Sequence, residues 1–201
     1  MVWSGLAGRR YQFPCPHDGD QMIISVEKTA KELKVKTPDL ITRPVGRLMY
    51  SSTVDKLAVI GAGEVVILDF AGIKVIDSSF IDEYVVRLIH DSCKRDFYLK
   101  LRNISAISEI NIDSVFNSYS NYKDRRIVIT REDIGRNNRF YIGPLSENES
   151  DILDYLRINQ GTTLDDIVNF TGADSLKVKK SVEELMFMRV LKKNNGEFTA
   201  V

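Results

Sequence analysis

Residues Val65 to Val86 read VVILDFAGIKVIDSSFIDEYVV, and the interpretation of this stretch decides the fold. Val65 to Phe70 is an apolar run broken only by Asp69, which fits a strand covered on both faces. After a short turn come Asp77, Ser78 and Ser79. Phe80, Ile81, Tyr84, Val85, Leu88 and Ile89 then recur at helical spacing and form one wide apolar face, with Asp82, Glu83, Arg87 and Asp91 opposite. The pattern is strand, turn, helix, with two hydroxyls where the helix begins. A hydroxyl or carboxylate there satisfies backbone N–H groups that have no partner within the helix. The same helix end also suits a phosphate or a partner's acidic group.

Upstream, Pro44 occupies a first-turn position with Thr42 as its expected cap, and Val45, Leu48, Met49 and Leu57 follow at helical spacing until Gly61 and Gly63. Met22, Ile23, Ile24 and Val26 suit a strand. The intervening Glu27 to Ile41 is open between a short helix and an edge hairpin. Downstream, Phe97, Leu99 and Leu101 alternate with polar neighbours as in a strand. SAISEINIDSVFNSYS is expected to form a helix with Ile107, Ile110, Val115 and Phe116 inward, and RRIVITRE another strand. Strands alternating with helices imply crossover connections, hence an α/β fold with a mostly parallel sheet and packed helices.

Near Gly135 the composition turns to Gly, Asn, Pro and Ser, which marks residues 135–146 as a linker. Ser146 and Glu149 form a capping box that opens a helix over Glu147 to Ile158. A second helix is capped by Thr163 and ends near Gly172. A third, capped by Asp174 or Ser175, carries Val178, Val182, Leu185, Met186 and Val190. Asn194, Asn195 and Gly196 then mark a hairpin. Three helices and a hairpin are the winged-helix order. The division expected is an α/β domain at 1–134 (with 1–21 an irregular extension), the linker, and a small winged-helix-like domain at 147–201.

Bulk properties narrow the function classes. Lys and Arg number 28 against 28 Asp and Glu, so no global field draws the chain to nucleic acid or membrane. No apolar run approaches the ~20 residues of a membrane span, and no secretory leader is apparent. Cys15 and Cys93 stand alone and far apart, so a reducing cytoplasm is the expected compartment. Cys15 and His17 lie in FPCPHDG, read as an irregular loop, and His90 falls late in a helix. No nucleophile elbow, zinc-protease helix or phosphate-binding loop is present. Neither cofactor nor metal is expected.

VVILDFAGIKVIDSSFIDEYVVRL resembles the central segment of the STAS domain, the fold of bacterial anti-sigma-factor antagonists, in the STAS-like variants with phenylalanine after the serine pair. RPVGRLMYSSTVDKL looks like the preceding helix of those variants. The likeness runs roughly from Ile23 to Glu132 and is strongest from Arg43 to Leu88. It implies a turn where a phosphorylatable serine meets a partner kinase that is itself an anti-sigma factor. Asp77, Ser78 and Ser79 match that turn, Ser79 best matching the acceptor. Phe80 stands where glycine is usual, and its bulk is expected to hinder such a kinase. The fold therefore carries over better than the phosphorylation. The expected docking surface is Asp77, Ser78, Ser79, Phe80, Asp82 and Glu83, for an anti-sigma-factor or kinase-like protein.

Three readings of the serines stand. Ser79 with Asp82 has capping-box-like spacing, which explains Ser79 as a plain cap. The second is protein docking. The third is a phosphosite, whose added charge of about −1.5 to −2 the helix end favours but Asp77, Asp82 and Glu83 repel.

Lys177, Lys179 and Lys180 on the third helix and Lys192 and Lys193 on the wing are candidates for DNA phosphate contacts. From Ser146 onward, however, seven basic residues face ten acidic ones, a net charge of −3, against the usual balance for DNA binding. DNA contact and protein interaction both stay open. So does a rival helix-turn-helix reading of SVEKTAKELKVKTPDLITRPVGRL, in which Pro44 would fall inside a helix. The function expected is non-enzymatic regulation by protein docking, with the C-terminal domain relaying to DNA or protein. Alternatives are a DNA-binding regulator whose α/β domain senses a ligand or dimerises, and an enzyme built around Asp69 and Asp77.

Overall fold

The computed structural model describes residues 21–133, 135 and 139–201. The extension over residues 1–20, with Cys15 and His17, lies outside the described residues.

The apolar run at Val65 becomes β3 (Val65–Asp69), the second strand of a five-stranded sheet. β1 (Gln21–Ser25) pairs with it on one side and β5 (Tyr98–Arg102) on the other, both parallel. β6 (Ile129–Arg131) extends the parallel run, and β7 (Tyr141–Ile142) closes the edge antiparallel to β6. The chain is thus a mixed α/β structure with a mostly parallel sheet. The residues 135–146 read as a linker supply that last strand: Tyr141 and Ile142 are both buried, and apolar burial draws this Gly- and Asn-rich stretch back to the sheet.

The stretch from Glu27 to Ile41 resolves into α1 (Val26–Glu32) and a two-residue strand β2 (Asp39–Leu40). β2 pairs parallel with β4 (Val75–Ile76) in a separate small ladder. α2 (Arg43–Lys56) carries Pro44 in its first turn, as the sequence predicts. Thr42 holds the cap position with φ 81° but makes no side-chain capping bond. Its backbone N–H instead donates to Asp77, 3.2 Å to Oδ2. The rival reading, two helices meeting across Pro38, is replaced by α1, β2 and α2.

The helix after the serines is built in three parts: α3 (Ser78–Ile81), a π-helical turn over Asp82–Val86, and α4 (Arg87–Arg95). Its apolar side, with Phe80, Ile81, Tyr84, Val85 and Leu88 all fully buried, packs with α2 and α5 (Ala106–Lys123) on the sheet face formed by Val66, Leu68, Leu99, Leu101, Ile129 and Ile142. α2 comes so close that a Cβ on Gly46 would lie 2.9 Å from the Glu83 Cβ and 3.2 Å from the Phe80 carbonyl oxygen.

The C-terminal part has α6 (Glu147–Ile158), α7 (Leu164–Thr171), α8 (Ser175–Phe187) and a hairpin of β8 (Leu191–Asn194) with β9 (Glu197–Ala200). Both predicted capping boxes are present, Ser146 with Glu149 and Thr163 with Asp166. Asp174, not Ser175, caps α8. Asn195 and Gly196, with φ 50° and 91°, make the hairpin turn. A bridge from Thr162 to Phe198 ties the hairpin to the loop before α7. A second core joins Ile152, Leu156, Val178, Leu185 and Phe198 to Val128, just before β6, and Tyr141 of β7, so the two parts share apolar contact.

Candidate functional site

The helix tip sits beyond the carboxyl ends of β3 and β5, and the cap is Asp77 instead of Ser79. Asp77 Oδ1 accepts from the Phe80 N–H at 2.7 Å, while the Thr42 N–H donates to the same carboxylate. A carboxylate takes several N–H donors at once, which a hydroxyl does not match here. Ser78 and Ser79 therefore fall inside the first turn: Ser78 is exposed and Ser79 half-buried. Phe80 is fully buried, its ring 5.1 Å from that of Tyr84. The expectation that Phe80 blocks access to the serines is corrected, because its side chain fills the core beneath the tip.

Asp82 and Glu83 are similarly committed inside the fold. The Tyr119 hydroxyl donates to Asp82 Oδ1, and Arg43 Nη1 lies 2.8 Å from Oδ2. Burial raises the Asp82 pKa, but the Tyr119 and Arg43 bonds outweigh that and hold it below the ordinary value. Glu83 faces Arg43 at 3.1 Å, Arg47 at 3.3 Å and Arg87 at 3.4 Å. Burial raises its pKa too, and Arg43 and Arg47 bring it down on balance. These carboxylates hold α2 against the π turn.

The free surface at the tip comes from residues the sequence assigned elsewhere. Ile107 and Ile110, expected inward, are 51% and 48% exposed. α5 turns Ser108 and Asn111 inward instead: the Ile76 N–H donates to Ser108 Oγ at 3.2 Å, and Asn111 Nδ2 donates to the Ile76 carbonyl at 2.8 Å. Ile41, 48% exposed, flanks the other side, between Leu40, whose carbonyl accepts from the Asp77 N–H, and Thr42. The tip thus combines two serines with exposed isoleucines on the segments that bond Ile76 and Asp77.

Asp69, the other carboxylate near a strand end, receives Arg102 Nη2 at 2.8 Å and Asn103 Nδ2 at 2.7 Å. Burial raises its pKa, and these donors lower it further than burial raises it. Such a group is not poised as a base near neutral pH. Among the described residues there is no cluster of three or more His, Cys, Asp or Glu that could hold a metal, and no helix is long and apolar enough to cross a membrane.

The lysine candidates separate. Lys177, Lys179 and Lys180 are exposed on α8, with Lys179 4.0 Å from Glu183 and Lys180 3.9 Å from Glu184. Leu176 and Phe187 on the same helix are 76% and 75% exposed. Lys193 is exposed on the wing. Lys192 points the other way, its Nζ donating to the Gly63 carbonyl at 2.7 Å and lying over the Tyr98 ring. It belongs to the seam between the two parts of the chain, since successive strand residues face opposite sides. Beside that seam, a groove of about 650 Å³ runs between α4 and α8, lined by Ile89, His90, Cys93, Lys94, Phe187 and Met188 among others.

No protein-family model matches the chain, and no curated protein matches it.

Proposed function

We propose that this protein is a regulator that acts by docking a partner protein on the helix tip around Ser78. In this reading the α/β part, expected at 1–134 and here completed by β7, is a STAS-like unit and the C-terminal part a winged-helix-like module that passes the docked state on. The observation that carries it is the composition of the tip: exposed Ser78 and half-buried Ser79 follow Asp77, exposed Ile41 adjoins the Thr42 that bonds Asp77, and exposed Ile107 and Ile110 stand on the helix turn that bonds the Ile76 backbone. Exposed apolar side chains with few free charges among them suit the centre of a protein contact. Of the nearby carboxylates, Asp82 and Glu83 are already paired with Arg43, Arg47 and Arg87, and Asp77 is engaged by the Thr42 and Phe80 amides. The strand–turn–helix order with Asp77 as cap supports the STAS-like reading, and three helices followed by a bridged hairpin support the winged helix.

The C-terminal relay is to a protein. Exposed Leu176 and Phe187 beside lysines already close to Glu183 and Glu184 make α8 a mixed apolar and charged surface, whereas DNA contact calls for uncompensated positive charge.

The test compares wild type with Ile41→Asp and Ile110→Asp by affinity capture from the native host. Tyr122→Ala, at the far end of α5 and 85% exposed, serves as a control. A protein retained by wild type and Tyr122→Ala but lost by both tip variants, then reconstituted with purified components, establishes the docking surface. Identical capture by all four chains overturns it. A salt-sensitive gel shift abolished by Lys177→Glu, Lys179→Glu and Lys180→Glu together would move the relay to DNA.

A further inference from the structure

The strand register places Ile23, Ile67, Lys100, Thr130 and Tyr141 side by side across all five strands of the sheet. Side chains alternate along a strand, so this row projects from the face opposite the main core. It begins at Ile23, 52% exposed, and runs inward to Thr130 and Tyr141, 1% and 8% exposed. Neither the Thr130 Oγ1 nor the Tyr141 hydroxyl has a hydrogen-bond partner. Buried hydroxyls are nearly always bonded, so two orphans in adjacent register positions are open to a further polar partner.

The charges around the row are one-sided. Lys100 makes no hydrogen bond or ion pair among the described residues. Arg157, on α6, lies 3.5 Å over the Phe140 ring and approaches the Tyr141 hydroxyl without forming a proper hydrogen bond. Lys192 gives its ammonium to a carbonyl and not to an acid. These cations work against one another: burial and then Arg157 lower the Lys100 pKa, and burial, Lys100 and Arg189 lower that of Lys192. The acids nearby do not restore the balance. Glu132 pairs with Arg102 at 3.3 Å, and Asp96 with Arg189 at 2.7 Å. Asp154, near Tyr141, has its pKa raised by burial and lowered by Arg157, so it offsets part of the Arg157 charge and leaves Lys100 and Lys192 without an acid of their own.

We propose that this seam is a binding site for a small phosphate-type oxyanion, as free phosphate or as the phosphate of a metabolite. Lys100 and Arg157 supply the charge, with Lys192 alongside, and the Thr130 and Tyr141 hydroxyls donate to its oxygens. Charge-assisted bonds of this kind answer each orphan at once. Lys100, Thr130 and Tyr141 belong to the sheet, Arg157 and Lys192 to the C-terminal part, so the bound anion bridges the two. Its occupancy then sets how firmly the C-terminal module is seated, because a ligand that binds one arrangement preferentially shifts the population toward it. The site is separate from the helix tip, and its failure leaves the docking reading intact.

The test is thermal unfolding and calorimetric titration of the full chain with sodium phosphate, against sodium chloride at matched ionic strength. Phosphate is expected to raise Tm by a few degrees beyond chloride. Lys100→Met keeps the stem but removes the charge. It should abolish that response and leave the anion-free protein at least as stable as wild type, since an uncompensated, partly buried charge is gone. Arg157→Gln, on the other wall, should weaken phosphate binding at least tenfold. A larger response to glycerol phosphate than to phosphate assigns a metabolite, and an equal or smaller one assigns the free ion. The proposal is overturned if wild type shows no phosphate-specific stabilisation. It is equally overturned if Lys100→Met and Arg157→Gln respond as wild type does, the outcome of an adventitious ion only.

Discussion

At the scale of single residues, the helix tip separates structure from recognition. Asp77 holds the Phe80 and Thr42 amides, so Asp77→Ala should cost about 1–2 kcal/mol in chemical denaturation. Ser78 is exposed, and Ser78→Ala should stay within about 0.5 kcal/mol of wild type. A loss of partner binding in Ser78→Ala is therefore readable without a stability correction, whereas the same loss in Asp77→Ala is not. Phe80 belongs on the structural side: Phe80→Ala should cost about 3–5 kcal/mol, because a ring with no solvent exposure leaves a cavity. Gly46 is limited by space. Its helical backbone would tolerate alanine, but the added methyl would meet the Glu83 Cβ at 2.9 Å and a carbonyl at 3.2 Å. Gly46→Ala should lose about 1–3 kcal/mol by prying α2 from the π turn, against the gain expected from helix propensity alone.

Elements differ in how much of them can be read from local chemistry. The caps at Ser146 and Thr163, the Asn195-Gly196 turn and the strands at Val65 and Tyr98 are legible because each depends on neighbours within four or five residues. β2, β4 and β7 are two residues long, too short to show a period, and exist only because a distant strand pairs with them. The π turn is hidden for a related reason. It lies where α2 presses on Phe80 and Glu83, a contact across nearly forty residues that no local pattern announces. At the tip, Asp77, Ser78 and Ser79 are all plausible caps by type, and only the arrival of the Thr42 amide selects the carboxylate. The α6 cap also gives a pH prediction. Glu149, side chain 3% exposed, binds Arg126 at 2.5 Å and the Ser146 N–H at 2.8 Å. Burial raises its pKa, and Arg126 with the Ser146 donors more than reverses this, leaving it below the ordinary 4.5. A depressed folded-state pKa means stability that is present in full above the unfolded value and lost as pH falls through the folded one. Wild type should therefore lose stability as pH drops below about 4.5, and Glu149→Gln, less stable at pH 7, should show a flatter acid limb in a series of urea titrations.

Across the whole molecule, the direction of the sheet decides what the two ends can do. The strands are parallel, so the tip lies at their carboxyl ends. Arg189 and Lys192 reach the backbone that precedes β3 and β5, at the amino ends. A five-residue strand rises about 3.3 Å per residue, which keeps the tip and these anchors on the order of 15 Å apart. The C-terminal part therefore seats itself without covering the serines. This layout was beyond reach of charge counting: a net charge of zero conceals arginines that clamp the π turn at one end and, at the seam, Lys192 bonded to a carbonyl instead of an acid. Arg189 is one anchor of the C-terminal part at that end. It is 16% exposed, bonded to Asp96 at 2.7 Å and to the Phe97 carbonyl at 3.1 Å, and it covers the Tyr98 ring at 4.0 Å. Charged hydrogen bonds of this kind contribute about 1.5–3 kcal/mol. Arg189→Ala should accordingly speed hydrogen exchange in α8, β8 and β9 while leaving β3 and β5 as slow as in wild type. Equal acceleration in both would mean that the two parts unfold as one cooperative unit, and the docking proposed at the tip could then reach the C-terminal part only through global changes in stability.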